Sequence, residues 1–124
     1  MDFNIEKKDN HTLVTILTDK VTSSIAPKLK AEFVTIASKG EKNMILDFSQ
    51  CKYIDSSGLS AILVANRLCK NAGGILVLTG LQQAVERLII ISQLDNVLNI
   101  VYTLPKAEEL VKKHIEKKQN EEQE

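Results

Sequence analysis

The sequence predicts a single α/β domain: a mixed sheet of about five strands with an antiparallel N-terminal edge, packed with about four helices. The chain has 124 residues, which fits one domain. Beyond residue 25, helical segments alternate with short apolar runs rich in Ile, Leu and Val. A hairpin pattern precedes this alternation, and it supplies the antiparallel edge of an otherwise mostly parallel sheet.

The N-terminal hairpin is predicted from two β-prone segments, residues 3–8 and 11–18, separated by Asp9-Asn10. The first helix then follows Thr22-Ser23-Ser24, a set of N-cap candidates, with Pro27 in its first turn. Its apolar face comprises Ile25, Leu29, Phe33 and Ile36, and Gly40 is expected just beyond its C-terminus.

A polar corner is predicted between the buried strand 44–48 and a helix that runs from Leu59 to about residue 71. The corner consists of Asp55, Ser56, Ser57 and Gly58. The simplest interpretation of either serine is an N-cap. The start of a helix also gathers free N–H groups and the positive end of the helix dipole, so a hydroxyl there can carry a phosphate at little cost.

One side of this helix carries a small, partly apolar stripe that leads away from Ser56. The spacing places Ser60, Val64 and Arg67 on the same side as Ser56, roughly opposite to Leu59, Ile62 and Leu63. We interpret the stripe as a docking surface.

The rest of the chain continues the alternation. Residues 75–79 form an apolar run that predicts a buried strand. A helix over 82–92, a strand over 98–103 and a helix from Pro105 follow. We assign residues 1–115 to the domain and expect the polar residues 116–124 to form a solvated, disordered tail.

Composition excludes several classes of function. Lys and Arg total 16, equal to Asp and Glu, so there is no global positive field to hold nucleic acid. Apolar runs are too short to span a bilayer, and Met1 begins no signal-peptide pattern. Cys51 and Cys69 fit no metal-ligand spacing and are expected to be reduced thiols of a cytoplasmic protein. No cofactor or metal is predicted.

Two segments together resemble a known family. These are Met44-Ile-Leu-Asp-Phe48 and Tyr53-Ile-Asp-Ser-Ser-Gly-Leu-Ser-Ala-Ile-Leu63, followed by the glycine-flanked strand at 73–80 and Leu94-Asp95. They resemble the signature of STAS domains of the bacterial anti-sigma factor antagonists, and the similarity spans roughly residues 3–115.

This resemblance implies a partner-switching regulator rather than an enzyme. In that family an anti-sigma factor that is also a serine kinase phosphorylates the serine directly after the Asp, and a PP2C-type phosphatase reverses the mark. By position the phosphoacceptor is Ser56, beside Asp55, with Ser57 and Gly58 completing the turn. The unphosphorylated form binds the kinase. We expect a monomer or weak dimer.

The chain departs from the family pattern at two places. The family usually has Gly-x-Leu-Asp after the second strand, whereas this chain has Asp19-Lys-Val-Thr22, so Thr22 stands where an acid is expected near the phosphoacceptor. Gln93 stands where a glycine often precedes Leu-Asp.

Three alternatives remain beside this interpretation. A STAS subunit that docks on a lipid or anion transport complex keeps the fold but changes the partner. An enzyme with a serine nucleophile needs a base, and no motif places His11 or His114 near Ser56. A receiver domain phosphorylated at Asp47 needs an early acidic pair and a late lysine after a strand, but Asp19 stands alone and the run after Thr79 offers no lysine.

Overall fold

The computed structural model describes residues 2–123 and contains a central five-stranded sheet. The strands lie in the order β1-β2-β4-β6-β7; β1 pairs with β2 antiparallel and every other neighbouring pair is parallel. The predicted mixed sheet with an antiparallel N-terminal edge is therefore confirmed. Its strands are β1 (Phe3–Lys7), β2 (Thr12–Ile16), β4 (Met44–Asp47), β6 (Leu76–Thr79) and β7 (Asn99–Val101).

Four helices pack on this sheet, as predicted. They are α1 (Ala26–Ser38), α2 (Ser56–Asn71), α3 (Gln83–Ile91) and α4 (Leu104–Gln123). Side chains from α1, α2 and α3 share one hydrophobic core with one face of the sheet, and α4 forms a smaller core with the other face.

The central strands have continuous apolar runs because both of their faces are covered. In β4, Met44 and Leu46 point into the core with α1–α3, whereas Ile45 between them points toward α4. In β6, Leu78 points into the core with α1–α3, and Val77 points toward α4. All five side chains are fully buried. A strand with helices on both sides has no solvent face, which accounts for the absence of polar alternation.

A second, two-stranded sheet was not predicted. It consists of β3 (Lys20–Val21) and β5 (Tyr53–Ile54), which pair in parallel with Val21 opposite Ile54. Two-residue strands are too short to show periodicity. The pairing fixes the segment before α1 beside the segment before α2, and therefore sets the position of the polar corner.

The C-terminal helix is longer than the sequence indicated. We expected a solvated, disordered tail from residue 116, but α4 continues to Gln123. The side chains of residues 116–122 are exposed, and Glu, Lys and Gln favour helix even where nothing packs on it. Glu124 lies outside the described residues, and the domain boundary at 115 stays a prediction.

Candidate functional site

The polar corner is organised by the carboxylate of Asp55. Strand β5 ends at Ile54, Asp55 has extended backbone dihedrals, and α2 begins at Ser56. The Asp55 Oδ1 atom accepts hydrogen bonds from the backbone N–H groups of Ser57 (2.9 Å) and Gly58 (3.0 Å). Asp55 is therefore the N-cap of α2, and the interpretation of Ser56 or Ser57 as the cap is wrong.

Ser56 is consequently free of a structural role at the corner. It occupies the first helical position, its side chain is exposed, and within residues 2–123 its hydroxyl makes no hydrogen bond. The helix starts at Ser56 rather than at the predicted Leu59, because the Asp55 side chain caps the helix from the position before Ser56. The hydroxyl of Ser56 thus faces solvent at the positive end of a helix of 16 residues.

Thr22 lies beside this corner. Because Val21 pairs with Ile54, the next residues along the two strands, Thr22 and Asp55, are also neighbours. The Asp55 N–H donates to the Val21 carbonyl at 3.3 Å. The Thr22 hydroxyl lies 3.3 Å from the hydroxyl of Ser24 and brings no charge to the corner.

The remaining candidate residues extend along α2 in the order predicted. Gly58 is buried, Ser57, Ser60 and Val64 are partly buried, and Arg67 is exposed. Leu63 packs against the core, whereas Val64 is not among the partly buried side chains that do. Arg67, eleven residues after Ser56, lies about 16 Å further along the helix. A role of these residues in binding stays a prediction.

A groove that was not predicted from the sequence lies on the other side of Ser56. The groove has a volume of about 480 Å³ and lies between the corner and α3. Its lining residues are Tyr53, Ile54, Asp55, Ser56, Ala84, Arg87, Leu88 and Ile91. Tyr53 is 46% exposed and Ile91 is 70% exposed. The available signal was the run Leu88-Ile89-Ile90-Ile91, which is too apolar for a helix that buries one face only.

Both histidines lie away from the corner. His114 hydrogen-bonds through Nε2 to the carbonyl of Gly73 (3.1 Å) and lines a cavity of about 370 Å³ near the amino ends of the parallel strands. His11 is buried, with Nδ1 2.7 Å from Asn10 Oδ1. Burial lowers the pKa of His11, and nearby Glu108 opposes this shift. Ser56 therefore has no histidine base beside it in the described part of the chain.

The other reactive groups are also occupied or buried. Asp47 lies at the end of β4, and its Oδ1 accepts a hydrogen bond from the Ser49 N–H at 2.9 Å. Cys51 and Cys69 are free, buried thiols. Burial raises the pKa of Cys69 to about 12 and also raises that of Cys51, so both thiols stay protonated at neutral pH.

The chain matches a known protein family. The family model of the STAS domain matches residues 2–107. A Bordetella bronchiseptica protein that carries the name anti-sigma factor antagonist BtrV is 33% identical over 92 residues, covering 74% of this chain and 78% of that protein. The anti-sigma-B factor antagonist of Bacillus subtilis is 26% identical over 101 residues, covering 81% and 92%.

The fold has close counterparts among solved structures. A crystal structure from Thermotoga maritima, described as an anti-sigma factor antagonist, superimposes with a TM-score of 0.79 at 26% identity. The superposition covers 89% of this chain and 94% of that chain. Among residues 2–123, no helix is both long enough and apolar enough to cross a membrane.

Proposed function

Because the chain belongs to the STAS domain family, we propose that it is an anti-sigma factor antagonist of the partner-switching kind. In this proposal the unphosphorylated form binds an anti-sigma factor that is also a serine kinase. Phosphorylation of Ser56 releases the partner, and a PP2C-type phosphatase restores the binding form. The names of the relatives from Bordetella bronchiseptica and Bacillus subtilis support the first part.

The observation that carries the proposal is that Asp55 and Ser56 have different roles at the corner. Asp55 caps α2 with its carboxylate, so the adjacent hydroxyl of Ser56 has no structural duty and is exposed. At Ser56 the modification leaves the cap intact, which suits a switch that acts on a partner.

The proposed modification transfers the γ-phosphoryl group of ATP, bound by the kinase, to the Ser56 hydroxyl. A P–O bond to Oγ forms, the bond between the β- and γ-phosphates breaks, ADP leaves and the hydroxyl proton is released. The product carries an additional charge of about −1.5 to −2 beside Asp55. A partner surface shaped for a neutral hydroxyl is repelled by this charge, so release needs no large conformational change.

The partner surface in this proposal comprises the corner and the stripe along α2. Ser56 is surrounded by Asp55, Ser57, Gly58 and Thr22. The surface continues along the helix through Ser60, Val64 and Arg67. The absence of charge at Thr22, where the family usually has an acid, leaves the phosphoserine with one carboxylate neighbour at the corner rather than two.

Partner capture from the native host tests the proposal. Tagged wild type, Ser56→Ala and Ser56→Asp are compared, and bound proteins are identified by mass spectrometry. We expect a kinase-like protein on wild type and Ser56→Ala that is lost from Ser56→Asp. Ser38→Asp is the matched control, because Ser38 is an exposed serine at the C-terminal end of α1, where the added charge lies away from the corner.

Two results would contradict the proposal. If all four forms retain the same partners, the charge at Ser56 does not control binding. If components of a transport complex are recovered instead of a kinase-like protein, the alternative role as a transport-associated STAS subunit is favoured.

A further inference from the structure

Arg87 is the one cationic side chain among the residues that line the groove beside Ser56. It lies on α3, on the wall opposite the corner, and is exposed. The three ion pairs formed within residues 2–123 join Lys7 to Glu41, Lys8 to Glu6 and Lys113 to Glu109, so in the described part of the chain Arg87 has no acidic partner.

Asp55, the only acid that lines the same groove, is already engaged. Its Oδ1 accepts two backbone N–H groups as the cap of α2. The other lining side chains, apart from Ser56 itself, are apolar or aromatic: Tyr53, Ile54, Ala84, Leu88 and Ile91. The groove therefore combines a free guanidinium, a free hydroxyl and apolar walls.

We propose that Arg87 binds the phosphate of phosphorylated Ser56 across this groove. The inference rests on the proposed function, because it assumes that Ser56 is the modified residue. A guanidinium presents its N–H groups as a planar fork that matches two phosphate oxygens, and such charge-assisted pairs are stronger than neutral hydrogen bonds. Apolar walls strengthen the pair because they displace water from part of its surroundings.

The pair gives phosphorylation a second effect on the surface. The phosphate adds charge at the corner and also occupies the groove, while Arg87 is withdrawn from any partner. The phosphorylated surface then differs from the unphosphorylated one in shape as well as in charge. The two groups already line one groove.

Arg67 provides a matched control for this proposal. It is the only other arginine of the chain, it is exposed, and it also lies on a helix. Its position about 16 Å along α2 from Ser56 is beyond the reach of a phosphate on that serine. Arg67→Gln therefore removes the same charge as Arg87→Gln without touching the groove.

The experiment measures the second pKa of the phosphate by ³¹P NMR in the full chain, with phosphoserine encoded at position 56 during synthesis. This pKa is ordinarily about 6. We expect Arg87→Gln to raise the phosphate pKa by about half a unit or more relative to the phosphoprotein that retains Arg87, since a nearby cation favours the dianion. Arg67→Gln leaves it unchanged, and Arg87→Lys, which keeps the charge without the fork, gives an intermediate value.

Equal phosphate pKa values in the Arg87→Gln and Arg67→Gln phosphoproteins would overturn the proposal. Far-UV circular dichroism and thermal unfolding of each variant test whether the fold is retained, which the exposed position of Arg87 leads us to expect. The encoded phosphoserine makes the result independent of any kinase. If Arg87→Gln does not change the phosphate pKa but Ser56→Asp loses the partner, the Arg87 proposal is wrong and the partner switch is still supported. If Ser56→Asp keeps the partner, the switch itself is contradicted.

Discussion

The backbone of Gly58 lies directly against the carbonyl oxygen of Val21. A Cβ atom built on Gly58 would come within 2.5 Å of that oxygen and 3.0 Å of the Ile54 Cβ. This approach brings the first turn of α2 onto the small β3–β5 sheet. Gly58 is buried there, and any side chain has to displace backbone atoms that hold Thr22 beside Asp55.

We expect Gly58→Ala to destabilise the domain by about 1–3 kcal/mol, the usual cost of forcing an added methyl into a packed site. The sign is informative because Ala is favoured over Gly within a helix by about 1 kcal/mol. Urea denaturation of both proteins measures the difference. Ser60→Ala, on the same helix, is the control and is expected to change stability little; a more stable Gly58→Ala protein would show that the contact yields freely.

The cap of α2 gives a second prediction. Asp55→Ala removes the acceptor of two N–H groups and should lower the free energy of unfolding by about 0.5–2 kcal/mol. Ser56→Ala removes an exposed hydroxyl with no partner in residues 2–123 and should cost less than about 0.5 kcal/mol. Thermal unfolding of both variants provides the comparison. An equal or larger loss for Ser56→Ala would mean that the serine supports the corner after all.

The parts of this structure that follow from long patterns could be predicted, and those that depend on short contacts could not. The runs in β4 and β6 are buried on both faces, so their apolar character identified them. In contrast, β3 and β5 have two residues each, and their pairing depends on a glycine at position 58 that offers no periodic signal. Which polar residue capped α2 was also ambiguous, because Asp and Ser are comparable caps.

The groove was missed for a different reason. Its two walls come from segments some thirty residues apart, residues 53–56 and 84–91, and only the fold brings them together. The sequence showed the excess apolar residues of α3 but gave no information on what they face.

A third prediction concerns Asn43, which joins the amino ends of three strands. Its side chain is 5% exposed, donates from Nδ2 to the Asn10 carbonyl (3.1 Å) and accepts at Oδ1 from the Ile75 N–H (3.0 Å). Asn43→Ala removes the partner of both partly buried backbone groups and should cost about 1–3 kcal/mol. Denaturant unfolding is the measurement, with the exposed Asn96→Ala as control. Equal stability of the two variants would contradict this assignment.

The buried thiol of Cys69 gives a prediction for alkaline pH. Burial raises its pKa from the usual 9.0 to about 12, so the folded state retains the proton over a range in which the unfolded chain has lost it. The contribution of the protonated thiol to the free energy of unfolding is fully present below pH 9. It declines by about 1.4 kcal/mol per pH unit between pH 9 and 12. Urea midpoints between pH 8 and 11 test this. Cys69→Ala should show a shallower decline, and an identical slope would exclude the thiol as the cause.

The final prediction separates the docking stripe from the core of α2. Val64 and Leu63 are adjacent and both partly buried, but only Leu63 packs against the hydrophobic core. Val64→Glu places a charge on the stripe and should reduce capture of the partner at least tenfold, with a loss of stability below about 1 kcal/mol. Leu63→Glu should instead destabilise the fold by about 2 kcal/mol or more, since it forces a carboxylate against the core. Thermal unfolding and partner titration are measured on both variants. A large loss of stability in Val64→Glu would show that Val64 belongs to the core, and full binding by a stable Val64→Glu protein would exclude the stripe from the partner surface.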